Sequence, residues 1–364
     1  MAVMESAVRA ALSQVIDPEI RKPITELGMV DSIAITGTEV DVHILLTIPG
    51  CPLAATIEQD VQQAVAALDG VDTVNVTLGA MNDEQRAAVR EKLQGDRPAD
   101  NPIPFAQEGN TTRVILVSSG KGGVGKSSLT VNLALAIAER GQRVGILDAD
   151  IYGHSVINLL GLYEAEPTAV DGMILPIPYM GMSVISIGMF KSSRDQVIAW
   201  RGPMLDRALQ QFLGDVFWGD LDVLLIDLPP GTGDVALSLG HKLPNAEVLV
   251  VTTPQSGAAE VAERAGVMAA MLEQKLIGVV ENMSYLPYVC PNCGAEHRVD
   301  VFAAGGGAEV AAALTQRVGY EVPLLAELPI DPQLSVSADR GIPYLALNPE
   351  SPVAAALKTL AERL

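Results

Sequence analysis

Short runs of apolar, β-branched residues alternate with amphipathic stretches through the part of the chain after residue 111. Apolar runs without polar alternation are typical of strands buried on both faces, and amphipathic stretches of helical period are typical of covering helices. This alternation predicts an α/β fold, with a mostly parallel sheet and helices on both faces. The predicted strands are 113–119, 143–150, 182–188, 222–229, 247–254 and 275–283.

The beginning of the chain has a different pattern, which predicts a small α+β domain. Residues 4–15 have the apolar period of a helix, and two alternating runs flank a turn at 36–39. Such a pair of runs predicts a hairpin. A helix over about 52–68 and a further strand at 71–78 complete this domain.

Residues 94–111 combine several prolines with polar residues and show no apolar period. This composition is typical of a linker between domains. We therefore predict a small domain at 1–93, a linker at 94–111 and a larger domain at 112–364.

The overall charge limits the possible partners. The net charge is −20 and the sequence pI is about 4.5, so we expect no surface that binds DNA or RNA. Hydrophobic residues make up 49% of the chain, which allows a large core and argues against disorder. An acidic protein can still bind a phosphate group locally, because backbone N–H groups can form such a site.

The first residues lack the basic and apolar segments of a secretory leader, and no run of about 18 apolar residues could span a membrane. The chain has three cysteines, too few for a disulfide scaffold. We therefore expect a cytoplasmic protein that does not insert into a membrane.

The segment after the first strand of the larger domain, SSGKGGVGKSSLT, contains a complete phosphate-binding loop. Its glycines allow successive N–H groups to surround phosphate oxygens, Lys126 would bridge the β- and γ-phosphates, and Ser127 would offer its hydroxyl to Mg²⁺. The motif has its required context, a strand before it and a helix after it. The predicted nucleotide contacts in this loop are Gly120, Lys121, Gly122, Gly123, Val124, Gly125, Lys126, Ser127 and Ser128.

Acidic residues end two other predicted strands. Asp148 and Asp150 lie in DADIYGHS, and Asp227 lies in DLPPGTGD. Ligands of parallel α/β folds bind at the carboxyl ends of strands, so we expect these carboxylates near the phosphate loop. A carboxylate in this place can hold Mg²⁺ through water, and we assign that role to Asp227.

Cys290 and Cys293 form a C-x-x-C pair in the segment YVCPNCGAEHRV. A closed thiolate site needs four ligands, so the pair is half of a site. A redox-active pair is disfavoured, because such pairs lie at a helix N-terminus after a strand. Within one chain, His297 and Cys51 could complete a zinc site with three thiolates and one imidazole.

Several motifs together resemble those of the Mrp/ApbC iron–sulfur cluster carriers, which belong to the deviant Walker A group of P-loop ATPases. They are GKGGVGKSS, DADIYGHS, DLPPGTGD and the C-P-x-C pair, and the resemblance covers the larger domain. The small domain, with DPEI, ELGMV and TIPGCPLA, resembles the cluster-assembly domain often found in front of such carriers. Residues 327–343 also resemble the base-flanking loop of the family.

The resemblance implies specific roles in ATP binding and hydrolysis. Lys121 would reach across a homodimer to the partner's nucleotide, although it could also be a solvated loop lysine. Asp150 would orient the attacking water, with Asp148 near Mg²⁺. Gly231 would donate its N–H to the γ-phosphate, and Asn282 would contact adenine, with a turn-forming asparagine as the alternative. Lys121, Lys126 and Asp150 are the predicted catalytic residues.

The resemblance also implies the second half of the cysteine site. If two chains meet at their nucleotide faces, two cysteine pairs supply the four thiolates of a [4Fe–4S] cluster. The implied function is a homodimeric ATPase that carries this cluster from a donor to apo-proteins. Cys51 precedes a predicted helix, and its thiol could be favoured as a thiolate or be a buried apolar group.

Two other functions share the same nucleotide motifs. A MinD- or ParA-like ATPase would organise membranes or DNA, and its C-x-x-C pair would hold zinc or be incidental. The C-terminal apolar stripe Val353, Leu357, Leu360 and Leu364 instead predicts a helix packed on the sheet, since few basic residues accompany it. An ATPase like the nitrogenase iron protein would keep its cluster permanently.

Overall fold

The computed structural model describes residues 3–94, 102–151, 153–190 and 202–364. The predicted linker therefore lies partly outside the described residues. Contacts divide the chain into two units. The smaller unit contains the described residues before 102 together with 167–178 and 215–219, and the remaining described residues form the larger unit.

Helices and strands cover most of the described residues. The helices are α1 (Glu5–Leu12), α2 (Ala54–Ala66), α3 (Asp83–Gln94), α4 (Lys126–Ala138), α5 (Ser155–Leu159), α6 (Gly202–Gly214), α7 (Asp234–Lys242), α8 (Ser256–Met271), α9 (Gly306–Val318), α10 (Gln333–Arg340), α11 (Tyr344–Leu347) and α12 (Pro352–Arg363). The strands are β1 (Val30–Thr36), β2 (Glu39–Leu46), β3 (Thr73–Ala80), β4 (Arg113–Ser119), β5 (Val144–Asp148), β6 (Ala169–Val170), β7 (Met173–Ile174), β8 (Ile177–Tyr179), β9 (Met182–Ser186), β10 (Val223–Asp227), β11 (Glu247–Thr252), β12 (Lys275–Glu281), β13 (Leu286–Val289), β14 (Glu296–Val299) and β15 (Leu324–Glu327).

The smaller unit is built on the sheet β1-β2-β3. Strands β1 and β2 form the predicted antiparallel hairpin, and β3 pairs with β2 in parallel, so the connection must cross over through α2. Helix α2 buries Ile57, Val61 and Val65, which recur every four residues on one face. The predicted elements of this unit are confirmed, and α3 is an additional helix that the pattern did not reveal.

The core of the smaller unit includes residues from far along the chain. Val170, Met173 and Leu175, around the β6–β7 hairpin, are buried in the same cluster as α1, α2 and the sheet. Phe217 joins them. Sequence order alone places these residues in the larger domain, and the boundaries at 1–93 and 112–364 stay a prediction.

The larger unit contains the predicted parallel sheet. Strands pair in parallel in the order β15-β12-β11-β4-β10-β5-β9. Helices α4 and α8 both pack on β4, and each has a different helical neighbour, α12 for α4 and α9 for α8. The predicted α/β class and all six predicted strands are confirmed; β15 and the β13–β14 hairpin were not predicted.

Strand pairing brings the predicted acidic residues together. Asp227 at the end of β10 is in register with Asp148 at the end of β5, and on its other side with Val117 of β4. The phosphate loop follows directly after β4. The sheet therefore delivers the loop and both carboxylates to one edge, as expected for parallel strands.

The C-terminal stripe packs inside the protein. Val353, Leu357 and Leu360 of α12 are buried, and the helix contacts α4 and β15. This confirms the predicted packing of the helix. Of the helices that the structure describes, none has the length and apolar character needed to cross a membrane.

Candidate functional site

The phosphate loop is a tight turn in which three glycines, Gly120, Gly123 and Gly125, are required by its geometry. Gly123 and Gly125 have φ values of 79° and 81°, in the left-handed region that disfavours other residues. A Cβ on Gly120 would lie 2.2 Å from the backbone carbon of Val261. Gly125 is the N-cap of α4, so the loop leads into a helix N-terminus that favours anions.

A cavity of about 510 Å³ opens over this loop. At one end it is lined by the predicted loop residues from Lys121 to Ser128, together with Asp150 and Pro230. Its other end is formed by α5, Tyr163 and α10, where Ala338 and Asp339 contribute. The predicted base-flanking segment 327–343 thus supplies part of the wall, and the cavity extends from the phosphate loop to that segment.

Lys126 and Asp227 form a buried ion pair at the floor of the site. The Lys126 ammonium lies 2.7 Å from Asp227 Oδ1, and Asp227 is fully buried. Ser127 Oγ donates to Asp227 Oδ2 at 2.5 Å, and Thr130 Oγ1 donates to Oδ1 at 2.9 Å. Hydroxyl and carboxylate oxygens in contact are the donors that Mg²⁺ prefers, so Ser127 and Asp227 fit the predicted ion.

Thr130 is a site residue that the sequence reasoning missed. It lies four residues after Lys126 on α4, and therefore on the same face of the helix. Its hydroxyl oxygen also lies 3.0 Å from the Lys126 carbonyl, so its single proton is shared between that carbonyl and Asp227 Oδ1. The helical period after the phosphate loop was the signal that could have identified it.

Asp148 and Asp150 have different surroundings. Burial, and then the negative charge of Asp227, raise the pKa of Asp148 to about 7. Asp148 accepts hydrogen bonds from Ser186 Oγ and from the Asp150 N–H. Asp150 lines the cavity, and its carboxylate accepts the Gly153 N–H at 2.9 Å. Asp150 therefore faces the nucleotide cavity, and Asp148 lies behind it.

Gly231 and Asn282 each contact the region around the phosphate loop. The Gly231 N–H donates to the Ser119 carbonyl at 2.8 Å, and its φ of 89° requires glycine. Asn282 Nδ2 donates to the Val124 carbonyl at 2.9 Å. The predicted contacts of Gly231 with the γ-phosphate and of Asn282 with adenine stay predictions.

Cys290 and Cys293 lie in the turn between β13 and β14. The Cys290 N–H donates to the Ala295 carbonyl, and the Gly294 N–H donates to the Cys290 carbonyl, closing the turn. The backbone N–H groups of Asn292 and Cys293 lower the pKa of the Cys290 thiol. The turn therefore favours a thiolate, the form that binds iron or zinc.

Arg298 links the β13–β14 hairpin to β15 of the parallel sheet. Arg298 of β14 donates to both carboxylate oxygens of Glu327, at 2.9 Å and 3.2 Å. Its guanidinium also lies 4.0 Å from the centre of the Tyr285 ring. The base of the hairpin is thus held by a fork of hydrogen bonds and a cation–π contact.

The hairpin and the residues after it expose several large apolar side chains, which we call the hairpin patch. Between 42% and 61% of each side chain is exposed. Apolar groups clustered in this way are typical of a surface that contacts another molecule. The hairpin patch consists of Tyr288, Val289, Val299, Val301 and Phe302.

No group of three histidine, cysteine or acidic side chains in the described part of the chain is placed to hold a metal ion. His297 is exposed on β14, opposite Tyr288 of β13. Cys51 belongs to the other unit. His297 does not form a metal-holding group with Cys290 and Cys293 in the described residues, and the zinc alternative that includes Cys51 stays a prediction.

Cys51 is a buried thiol. Helix α2 begins at Ala54, so Cys51 lies before the helix N-cap rather than at it. Burial raises the pKa of the Cys51 thiol, with further contributions from Glu19 and Asp17. The structure favours the apolar role of the two that the sequence allowed.

A strand, a complete phosphate loop and a helix, with acidic residues at neighbouring strand ends beside a cavity, define a P-loop nucleoside triphosphatase. A family model described as NUBPL iron-transfer P-loop NTPase matches residues 110–364, and one described as iron-sulfur cluster assembly protein matches residues 5–78. The chain belongs to the NUBPL iron-transfer P-loop NTPase family. The predicted family resemblance and the predicted enzyme class, an ATP hydrolase, are confirmed.

Similar proteins are known from several organisms. An iron-sulfur cluster carrier protein of Mycobacterium leprae is 53% identical over 363 residues, covering 99% of this chain and 92% of that protein. One of Deinococcus radiodurans is 42% identical, covering 99% and 95%. A nucleotide-binding protein of Archaeoglobus fulgidus, solved in complex with ADP, is 38% identical with a TM-score of 0.51, covering 63% and 86%.

Proposed function

We propose that this chain is an ATP-hydrolysing carrier that holds a [4Fe–4S] cluster between two copies of itself and transfers it to apo-proteins. The observation that carries the proposal is the cysteine turn. Cys290 favours its thiolate, Cys293 is exposed, and no third ligand accompanies them in the described residues. A half-site of this kind becomes a four-thiolate site when two copies meet.

The hairpin patch supports a second copy as the partner. A cluster held by four cysteines from two chains requires the turns to approach closely, and apolar surface beside them would then be buried. Burial of apolar side chains favours association. A cluster at a subunit interface can leave when the interface opens, which suits a carrier better than a permanent electron donor.

The nucleotide site supplies the hydrolytic chemistry of the proposal. Lys126 and the loop N–H groups bind the β- and γ-phosphates, and Asp150 orients water for in-line attack on the γ-phosphate. The Gly231 N–H, which donates to the Ser119 carbonyl, would exchange that bond for one to the γ-phosphate and so sense it. When bound, Mg²⁺ supplies positive charge against the phosphate oxygens, and Ser127 and Asp227 would hold it, with Asp148 behind them.

Lys121 supports a dimer that forms through the nucleotide face. It lines the cavity, and its ammonium has no ion-pair or hydrogen-bond partner among the described residues of its own chain. In the proposed dimer it contacts the partner's nucleotide and stabilises the charge of the transition state. The smaller unit would contact the donor or recipient of the cluster, and a cytoplasmic location remains a prediction.

The proposal is tested by anaerobic reconstitution of the full chain with iron and sulfide. We expect about one [4Fe–4S] cluster per dimer in the parent, and background iron in Cys290→Ser and Cys293→Ser. Cys51→Ser is the matched control and should retain the cluster. Loaded parent should transfer its cluster to an apo-protein acceptor.

Three outcomes would contradict the proposed shared-cluster carrier. Equal iron and sulfide in the parent and in both cysteine variants would exclude Cys290 and Cys293 as ligands. Stoichiometric zinc that iron and sulfide cannot replace would favour a MinD- or ParA-like ATPase with a structural metal. Sedimentation velocity on the loaded protein checks the dimer, because a loaded monomer would exclude a shared cluster.

A further inference from the structure

Three side chains among the described residues donate to the Asp227 carboxylate, and all of them belong to the first turns of α4. Oδ1 accepts from the Lys126 ammonium at 2.7 Å and from the Thr130 hydroxyl at 2.9 Å. Oδ2 accepts from the Ser127 hydroxyl at 2.5 Å. Asp227 is fully buried, so its orientation depends on these donors rather than on contact with solvent.

Binding of ATP changes the donors of Oδ1. The lysine of a phosphate loop reaches the β- and γ-phosphates, so Lys126 must withdraw its ammonium from Asp227 when ATP binds. Ser127 can keep its proton on Oδ2 while a lone pair of its oxygen turns toward Mg²⁺. Among the described side chains that donate to Oδ1, Thr130 is then the one that remains.

The position of Thr130 does not depend on where the Lys126 ammonium lies. Its hydroxyl oxygen is 3.0 Å from the Lys126 carbonyl, a backbone group at the start of α4. This contact favours one of the two rotamers that threonine adopts in a helix. When the ammonium leaves, the shared hydroxyl proton goes to Oδ1, because a charged oxygen is the stronger acceptor.

We propose that Thr130 is a positioning residue for ATP hydrolysis, which holds the Asp227 carboxylate in place once Lys126 has moved to the phosphates. Thr130 is fully buried and does not line the cavity, so it acts through Asp227. The inference rests on the proposed function, in which Ser127 and Asp227 hold Mg²⁺. Removal of the Thr130 hydroxyl should therefore weaken the binding of Mg²⁺ more than the binding of the nucleotide.

The first test compares nucleotide affinity with and without Mg²⁺. The affinity of a non-hydrolysable ATP analogue is measured in Mg²⁺ and in EDTA for the parent, Thr130→Val and Thr130→Ser. Valine keeps the shape of threonine without the hydroxyl, and serine keeps the hydroxyl. We expect Thr130→Val to lower the affinity about tenfold in Mg²⁺ and less than about twofold in EDTA. Thr130→Ser should bind the analogue as the parent does in both conditions.

Thr315→Val is the matched control. Thr315 also lies in a helix of the larger unit, and its hydroxyl accepts the Val322 N–H at 2.9 Å. Its loss should leave both affinities unchanged. Thr130→Ala is a second variant without the hydroxyl, which places no methyl group against the carboxylate and should show the same loss in Mg²⁺. Thermal unfolding shows which variants are folded under the conditions of the assay.

Equal losses in Mg²⁺ and in EDTA would overturn the inference, because Thr130 would then support the phosphate loop rather than the ion site. Parent affinities in Thr130→Val and Thr130→Ala, or an equal loss in Thr130→Ser, would also overturn it. If the parent binds the analogue equally with and without Mg²⁺, the proposed role of Asp227 fails together with the inference. Failure of the carrier proposal would appear separately, in the reconstitution experiment.

The second test measures the ion directly and does not use hydrolysis. Mn²⁺ prefers the same oxygen ligands as Mg²⁺, and electron paramagnetic resonance measures how much of it is free. At saturating analogue, we expect Mn²⁺ to bind about tenfold more weakly to Thr130→Val than to the parent or Thr130→Ser. Equal Mn²⁺ affinity in the parent and in Thr130→Val would contradict the positioning role.

Discussion

The nucleotide site and the cysteine hairpin lie in the same unit and are built in opposite ways. In the nucleotide site, Lys126 and Asp227 are buried and paired, with two hydroxyl groups donating to the same carboxylate. In the hairpin, Cys293 is exposed and the turn is held by backbone hydrogen bonds and by Arg298. The nucleotide site therefore pairs its charged side chains within the chain. The hairpin instead leaves a metal-binding thiol exposed at the surface.

This difference indicates how each site meets its ligand. A buried ion pair is stable only when its geometry and hydrogen bonds are complete, and Ser127 and Thr130 help to hold the Lys126–Asp227 pair in place. Because the cysteine turn is exposed, few contacts within the chain change when a metal cluster binds to it or leaves it. A preorganised set of side chains suits a site that catalyses hydrolysis of a phosphate. An exposed pair of cysteines suits a site whose metal cluster must be transferred to another protein.

The largest expected effect is at the buried ion pair. Lys126→Ala leaves Asp227 without its cation, and we expect the free energy of unfolding to fall by about 3–5 kcal/mol. ATP hydrolysis should fall by about 100-fold or more, since a phosphate contact is also lost. Chemical denaturation and phosphate release measure the two effects.

The matched control is Lys275→Ala, which removes an ammonium that is 70% exposed and paired with Glu247. Exposed pairs contribute about 0–1 kcal/mol, so stability should change little. Similar losses at Lys126 and Lys275 would show that the nucleotide site is not the preorganised region described above.

The cysteines are expected to differ in their effect on stability. Cys51→Ser places a hydroxyl in a buried site, and we expect a loss of about 1–3 kcal/mol in the free energy of unfolding. The double variant Cys290→Ser, Cys293→Ser should change the cluster-free protein by less than about 0.5 kcal/mol, because the turn is at the surface. Urea denaturation of reduced protein compares them, and equal losses would contradict an exposed, independent turn.

A buried acid that forms no ion pair among the described residues sharpens the contrast with Asp227. Glu19 is buried and accepts a hydrogen bond from Thr168 Oγ1. Burial and the charge of Asp17 raise the pKa of Glu19 to about 7. Between its ordinary pKa of 4.5 and about 7, the folded state holds a proton that the unfolded state lacks.

This group therefore stabilises the fold at low pH, and its contribution is lost as the pH rises through about 7. Glu19→Gln keeps the shape and removes the charge. We expect the variant to be more stable than the parent by about 1–2 kcal/mol at pH 8, with the advantage shrinking towards pH 5. Denaturation at several pH values measures this, and an advantage that grows as the pH falls would contradict it.

The smallest expected effect is at the base of the hairpin. Arg298→Ala removes the fork to Glu327 and the contact with Tyr285, both partly exposed, and we expect about 1 kcal/mol or less in global stability. Hydrogen exchange of the Cys290 N–H should nevertheless accelerate, because the hairpin opens locally. Arg143→Ala removes a similar fork to Asp222 elsewhere and should leave that amide unchanged. If the Cys290 N–H exchanges at the same rate in both variants, Arg298 does not stabilise the hairpin against local opening.

Much of the fold and site could be predicted because each signal is local. The apolar runs, the phosphate loop and the strand-end aspartates are encoded in continuous segments, and the parallel sheet brings their ends together. The β13–β14 hairpin was missed because its strands are short and exposed. Helix α3 was missed because it lacks a strong apolar face.

Other features depend on residues that are distant in sequence. Thr130 reaches Asp227 across 97 residues, and Asn282 reaches Val124 across 158. The helical period after Lys126 could have indicated Thr130, whereas nothing local to Asn282 indicated its contact with Val124. Val170 and Phe217 complete the core of the smaller unit although they follow the predicted linker.

The sequence by itself determined the class of protein, the phosphate loop and the two cysteines, because these depend on residue type and short spacing. Only the tertiary structure decided which partners satisfy the buried groups. It placed the Asn282 amide on the phosphate loop, buried Cys51, and left the Cys290–Cys293 turn exposed beside apolar side chains. The physical reason is that burial and hydrogen bonding depend on the approach of distant segments, which no local pattern records.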